Sequence, residues 1–146
     1  MSEKKFQVGA KALIVEDGAV LLLRSRYSSG APYWDLPGGR YQEGDKNIVS
    51  CLVREVTEEL PGIADITVKT LVSCGRMPRD FSDGTGLFGV FYKVTATLPR
   101  PLQLTDEHHG HEWMTIDEVK RLYDDPSRTM PFDEVFYNAC IEALKK

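Results

Sequence analysis

Glu55, Glu58 and Glu59 sit in the stretch Arg54-Glu55-Val56-Thr57-Glu58-Glu59-Leu60-Pro61-Gly62-Ile63. On a helix turning by about 100° per residue, the three carboxylates fall within roughly a 100° arc and share one face. That crowding is costly. Carboxylates near a helix C-terminus oppose the macrodipole, and like charges at i,i+3 and i,i+4 repel by about 0.2–0.5 kcal/mol per pair. A divalent cation relieves the cost, since Mg²⁺ takes hard oxygen ligands and keeps waters for a phosphate substrate. A solvated acidic face is the other reading of the same pattern, and the surrounding residues must decide between them.

The elements that would position these groups are legible. A helix is expected to start near residues 45–47, where Asp45 and Asn47 are good capping types, and to bury Ile48, Cys51, Leu52 and Val56. Pro61-Gly62 should end it sharply. Ahead of it, Tyr33-Trp34-Asp35-Leu36-Pro37 reads as a short extended segment entering Gly38-Gly39, a paired-glycine turn that lets backbone approach a ligand closely. Residues 6–15 and 19–24 are two strands joined at Asp17-Gly18, with Val20-Leu21-Leu22-Leu23 apolar enough to be covered on both faces. Arg24 and Arg26 follow as cations at one end of the sheet.

Further on, residues 66–73 and 87–97 read as strands, flanking a long polar loop that carries Arg76, Arg79, Asp80 and Asp83. Residues 104–112 are polar and rich in histidine, and Trp113-Met114 is a short strand. Thr115-Ile116-Asp117-Glu118 has the capping-box pattern and predicts a short helix to about Tyr123. Pro131 is expected to open a final amphipathic helix presenting Phe132, Val135, Phe136, Ala139, Cys140, Ala143 and Leu144, with Lys145-Lys146 at its favourable end. His108, His109 and His111 raise the idea of a transition-metal site. With no cysteine near them in sequence, a solvated loop is preferred, the alternative being that one of them binds substrate near the mouth of the site.

The 146 residues form one expected domain over 1–146, with residues 1–5 as a flexible tail. A net charge of −4 gives no electrostatic footprint for nucleic acid or an anionic membrane. No apolar run approaches the ~20 residues of a membrane span, and no signal-peptide core follows the first residues, so a cytoplasmic protein is expected. Cys51, Cys74 and Cys140 read as reduced core thiols.

Taken together, Trp34-x-Leu36-Pro37-Gly38-Gly39, Arg54-Glu55-Val56-Thr57-Glu58-Glu59 and the flanking strands resemble the Nudix hydrolases. The box of that family runs G-x5-E-x7-R-E-U-x-E-E-x-G-U, with U a bulky aliphatic. The resemblance implies an α/β fold, an α/β/α sandwich about a mixed central sheet. It also implies Mg²⁺, or Mn²⁺ in its place, held by Glu55, Glu58, Glu59 and the Gly39 carbonyl. Two departures stand out. Asp45 replaces the first glutamate and is followed by eight rather than seven residues before Arg54, and Pro61 is inserted before Gly62-Ile63. By resemblance Arg54 is a structural ion-pair partner, with Asp45 or Glu43 as its acid.

The implied reaction is hydrolysis of a phosphoanhydride by metal-activated water. Glu107, six residues before Trp113, is similar in place to an extra metal ligand or base of some Nudix enzymes, and Glu112 competes with it. Arg24, Arg26, Arg76 and Arg79 are candidates for the outer phosphates. Trp34 and Tyr33 read as base-stacking platforms or as core aromatics. The implied substrate is a small nucleoside diphosphate linked to another group: ADP-ribose-like, an oxidised nucleotide or a dinucleoside polyphosphate. Pro78 is similar in placement to a proline of the ADP-ribose-cleaving branch. A homodimer is compatible with this reading. The alternatives are a catalytically weak nucleotide-sensing or protein-binding module and an RNA-end hydrolase, the latter disfavoured by the acidic charge.

Overall fold

The computed structural model describes residues 2–125 and 133–145. Strand β1 (Phe6–Glu16) turns through Asp17 and Gly18, both at positive φ, into β2 (Ala19–Arg26). Next come β3 (Pro32–Asp35), β4 (Gly38–Arg40) and helix α1 (Ile48–Glu59). The long strands β5 (Ala64–Arg76) and β6 (Gly86–Thr97) follow, then β7 (Gly110–Thr115), α2 (Ile116–Asp124) and α3 (Glu134–Leu144).

The sheet is mixed. Its order is β3-β2-β1-β6-β5, with β4 added to β1 and β7 to β2. The β1–β6 pair is parallel from Phe6↔Gly86 to Ile14↔Val94, whereas the other pairs are antiparallel. A parallel pair needs a long crossover. Here that crossover contains α1 and the glycine turn.

Side-chain alternation along β1 and β2 builds two cores, one on each face. Leu13, Val20 and Leu22 pack with Val119, Phe136, Ala139, Cys140 and Ala143 from α2 and α3. Ala10, Ala12, Ile14, Leu21 and Leu23 pack with Cys51, Leu52, Val56 and Leu60 of the α1 segment. The result is an α/β/α sandwich with Val20 to Leu23 fully buried. Each such side chain contributes about 1.5–3 kcal/mol.

Of the two capping residues expected for helix α1, Asn47 takes the place, its side chain accepting from Ser50 N. Other local expectations change. Strand β7 extends back through Gly110 and His111, residues read from sequence as polar loop, because the backbone of β2 offers them a ladder. Cys51 and Cys140 are buried but Cys74 is exposed, since it lies on the edge strand β5. Lys4 and Lys5, expected in a flexible tail, are tied down: Lys4 Nζ donates to Asp80 at 2.8 Å, and the Lys5 carbonyl accepts from Gly86 N. Helix α3 is capped by Asp133, and Pro131 and Phe132 lie outside the described residues. Among the described residues no helix is long and apolar enough to cross a membrane.

Candidate active site

The glycine turn fixes where α1 delivers its carboxylates. Gly38 has φ 145° and faces Lys11 across the β1–β4 ladder, where a Cβ would overlap the Ala10 carbonyl. Only glycine allows that approach. Its amide then donates to Glu59 Oε1 at 2.9 Å. Gly39 sits against Glu55, and a Cβ there would overlap the Glu55 carboxyl group.

Arg54 braces the helix against the loop before it. Its Nε and Nη2 donate to the two Asp45 carboxylate oxygens at 2.8 and 2.9 Å, and its Nη1 donates to Glu55 Oε1 at 2.9 Å. Asp45 also accepts from the Gln42 amide at 2.8 Å. The hydrogen bond from Arg54, then the Gln42 amide, hold the Asp45 carboxyl well below the usual carboxylate range. Asp45, not Glu43, is the acid that meets Arg54. The extra residue before Arg54 is absorbed in the loop, so the ion pair keeps two-pronged geometry.

The three glutamates have different environments. Glu59 is buried, with a side chain 8% exposed, and Glu55 is 15% exposed. Burial pushes Glu55 up from its ordinary range while Arg54 pulls it back. Glu58 is 60% exposed and pairs with Arg54 Nη1 at 3.5 Å.

A basin of about 640 Å³ is bordered by Glu55, Glu59, Gly38, Gly39, Glu107, His108, Arg26 and Lys11, among others; Glu58 does not border it. Beside it lies a second cavity of about 460 Å³, walled by Tyr27, Tyr33, Trp34, Met77, Pro78, Arg79, Phe81 and Phe136. The two share Lys11, Tyr33, Asp35, Phe81 and Leu87. Arg26 therefore borders the carboxylates, its Nη1 on the Gly30 carbonyl, while Arg79 borders the aromatic cavity with its guanidinium 4.6 Å from the Tyr27 ring. Trp34 lines the aromatic cavity and packs on the core, with Arg24 over its ring at 4.9 Å. Arg24 and Arg76 border neither cavity; Arg76 pairs with Asp80 and lies over Phe6.

Sequence reasoning missed three participants: Lys11, His108 and Ser25. Lys11 is held by Asp35 at 3.0 Å in the shared wall. Burial pulls its pKa down, but Asp35 and Glu59 outweigh burial and the net shift is upward. A lone cation within the apolar run Val8-Gly9-Ala10-Lys11-Ala12-Leu13 was the available signal. His108, assigned to a solvated loop, is buried instead: its Nε2 lies 2.5 Å from Glu59 Oε2 and its Nδ1 lies 2.7 Å from Ser25 Oγ. The loop is drawn in because the His109 amide donates to the Arg24 carbonyl. Ser25 shares strand parity with Leu21 and Leu23, which pointed to the α1 face.

Among the described residues, no three His, Cys, Asp or Glu side chains stand close enough together to hold an ion as they are. Glu55 and Glu59 are instead occupied by protein donors. The donor chemistry still fits a hard cation. The buried Glu59, the half-buried Glu55 and a glycine that must lack a side chain beside them border one basin, with no thiolate among its lining residues.

A model of the NUDIX domain matches residues 5–135. Among solved structures, the chain is similar to the MutT protein from Methanosarcina mazei Go1, with a TM-score of 0.73 and 21% identity over 98% of this chain and 96% of that one. It is similar to a MutT NUDIX hydrolase from Burkholderia pseudomallei at 26% identity, TM-score 0.62, over 79% and 87% of the two chains. An ADP-ribose pyrophosphatase from Streptococcus suis 89-1591 gives a TM-score of 0.63 at 20% identity over 94% and 89%. A search of curated proteins finds no match. Because the family model spans most of the chain, acidic helix included, the chain belongs to the Nudix family.

Proposed function

We propose that this protein hydrolyses a nucleoside diphosphate linked to a second group, with Mg²⁺, or Mn²⁺ in its place, held by Glu55, Glu59 and the Gly39 carbonyl. Glu58 joins them from solvent through a side-chain rotation. One observation carries the reading: an aromatic cavity and a carboxylate basin share a wall built on Lys11 and Asp35. That pairing suits a ligand with a flat apolar end and a polyanionic middle.

Tyr33, Trp34 and Phe81 offer faces to the nucleobase, with Tyr27 stacked behind Tyr33. Lys11 and Arg26 hold the diphosphate oxygens, Arg79 stands at the rim, and Arg24 and Arg76 add positive charge from outside. Glu107 borders the basin and takes the proton of the attacking water at its carboxylate. When bound, the cation supplies charge neutralisation on the diphosphate and acidifies water. The substrate class named for the Streptococcus suis protein, and the presence of Pro78 in the aromatic wall, support an ADP-ribose-like compound as the first to test.

The test is a panel of ADP-ribose, an oxidised nucleoside triphosphate and a dinucleoside polyphosphate, each with Mg²⁺ and Mn²⁺. Products are resolved after turnover in ¹⁸O water. One class should be preferred by at least tenfold in kcat/KM, with Glu59→Gln inactive on all. Turnover of none of them, or near-normal turnover by Glu59→Gln, overturns the proposal.

A further inference from the structure

Ser25, His108 and Glu59 form a hydrogen-bonded line at the edge of the carboxylate basin, contributed by β2, the loop before β7 and the end of α1. All three side chains are nearly buried: Ser25 is 3% exposed, and the His108 and Glu59 side chains are 6% and 8% exposed. An ionised carboxylate can only accept, so Nε2 of His108 carries the hydrogen shared with Glu59 Oε2. In a neutral imidazole Nδ1 then offers a lone pair, and the Ser25 hydroxyl donates to it. The partners fix the tautomer.

The other Glu59 oxygen, Oε1, accepts from the Gly38 amide at 2.9 Å. Each oxygen of the carboxylate therefore has one protein donor, and each keeps a second lone-pair direction. A glutamate left free would lose considerable rotamer freedom on gripping a cation. Glu59 has lost it in advance, between an amide on one side and a histidine on the other. The loop that carries the histidine is itself pinned, through the His108 amide on the Thr105 carbonyl and the His109 amide on the Arg24 carbonyl.

We propose that the Ser25–His108 pair is a positioning device that sets the orientation of the Glu59 carboxylate for a divalent cation. The proposal rests on Glu59 being a cation ligand. His108 stays in place while Glu59 binds, acting from behind the ligand as outer-shell partners do in metal sites. Ser25 acts one step further back by holding the imidazole tautomer. Neither residue touches the reacting atoms.

The test reads Mn²⁺ affinity of the metal-stripped full-length protein by electron paramagnetic resonance of free Mn²⁺, without substrate. His108→Gln keeps a donor near the position of Nε2, whereas His108→Asn places its amide where Nδ1 was and cannot reach Glu59. Loss of an outer-shell partner costs about 10–100-fold in metal affinity. Hence His108→Asn and His108→Ala should weaken Mn²⁺ binding by about tenfold or more, with His108→Gln restored to within about threefold of wild type. ¹⁵N NMR should show the Nε2–H tautomer of His108 alone in the wild type and a mixture of tautomers in Ser25→Ala. Equal Mn²⁺ affinity in His108→Asn, His108→Gln and wild type, with Glu59→Gln weakened, overturns the positioning role alone. Unchanged affinity in Glu59→Gln overturns the assignment of Glu59 as a ligand.

Discussion

Arg54 meets Asp45 as a two-pronged pair, Nε to Oδ1 at 2.8 Å and Nη2 to Oδ2 at 2.9 Å, while its remaining nitrogen reaches Glu55. One guanidinium thus ties the loop before α1 to the helix and orders a carboxylate of the basin. The side chain of Asp45 is 6% exposed. The Gln42 amide holds this acid from the loop side, so the pair fixes the loop as well as the helix.

That pair predicts a pH signature. The folded pKa of Asp45 lies well below its ordinary value, through the Arg54 hydrogen bond first and the Gln42 amide second. A depressed carboxyl contributes stability that is fully present above the unfolded pKa of about 3.9 and is lost as pH falls through the folded value. Asp45→Asn should melt about 2–6 °C below wild type at pH 7. The gap should begin to close below about pH 4, as read by calorimetry across a pH series.

Gly38 and Gly39 should fail differently when each is changed to alanine. At Gly38 the new Cβ meets backbone at a positive φ, which nothing nearby can relieve, so the variant should be poorly folded by circular dichroism. At Gly39 it meets only the end of the Glu55 side chain. That carboxylate can swing away. Gly39→Ala should keep its fold and lose turnover by about 100-fold or more, because an oxygen of the basin is displaced. Wild-type activity in a folded Gly39→Ala would contradict the assignment of Glu55.

The aromatic cavity predicts a binding phenotype. Tyr27 stacks on Tyr33 with ring centroids 4.3 Å apart and carries Arg79 over its face. Tyr27→Ala removes the ring that backs Tyr33 in the aromatic wall, without touching a carboxylate. Its KM should rise about tenfold with kcat near wild type, since a stacking contact is worth about 1–3 kcal/mol. A fall in kcat at unchanged KM would place the nucleoside elsewhere.

The double-sided burial of β2 predicts a large stability cost far from chemistry. Leu22 is 0% exposed and packs with Phe91, Phe136 and Ala139 in the core cluster under α2 and α3. Leu22→Ala should destabilise by about 2–5 kcal/mol in urea unfolding, through lost burial plus a residual cavity. A change below about 1 kcal/mol would mean that the core collapses around the deletion.

The sequence by itself determined the acidic helix, its paired-glycine lead-in and the strands around them. It could do so because those features are local: a 3.6-residue period, a capping residue, a turn that only glycine permits, and a run of aliphatics long enough to be covered twice. The spacing of Gly38-Gly39 and Arg54 to Glu59 carried the family resemblance, and that resemblance implied the α/β/α layering. Tertiary structure alone decided which carboxylates face the basin. Glu55, Glu58 and Glu59 share one helical face, yet Glu59 is buried on Gly38 and His108 while Glu58 stands in solvent, because a helix face is wider than the groove it fills. The same holds for His108, Ser25 and Lys11. Ser25 and His108 are 83 positions apart in the chain, and a hydrogen bond at that separation exists only once β2 has recruited both β7 and the loop before it.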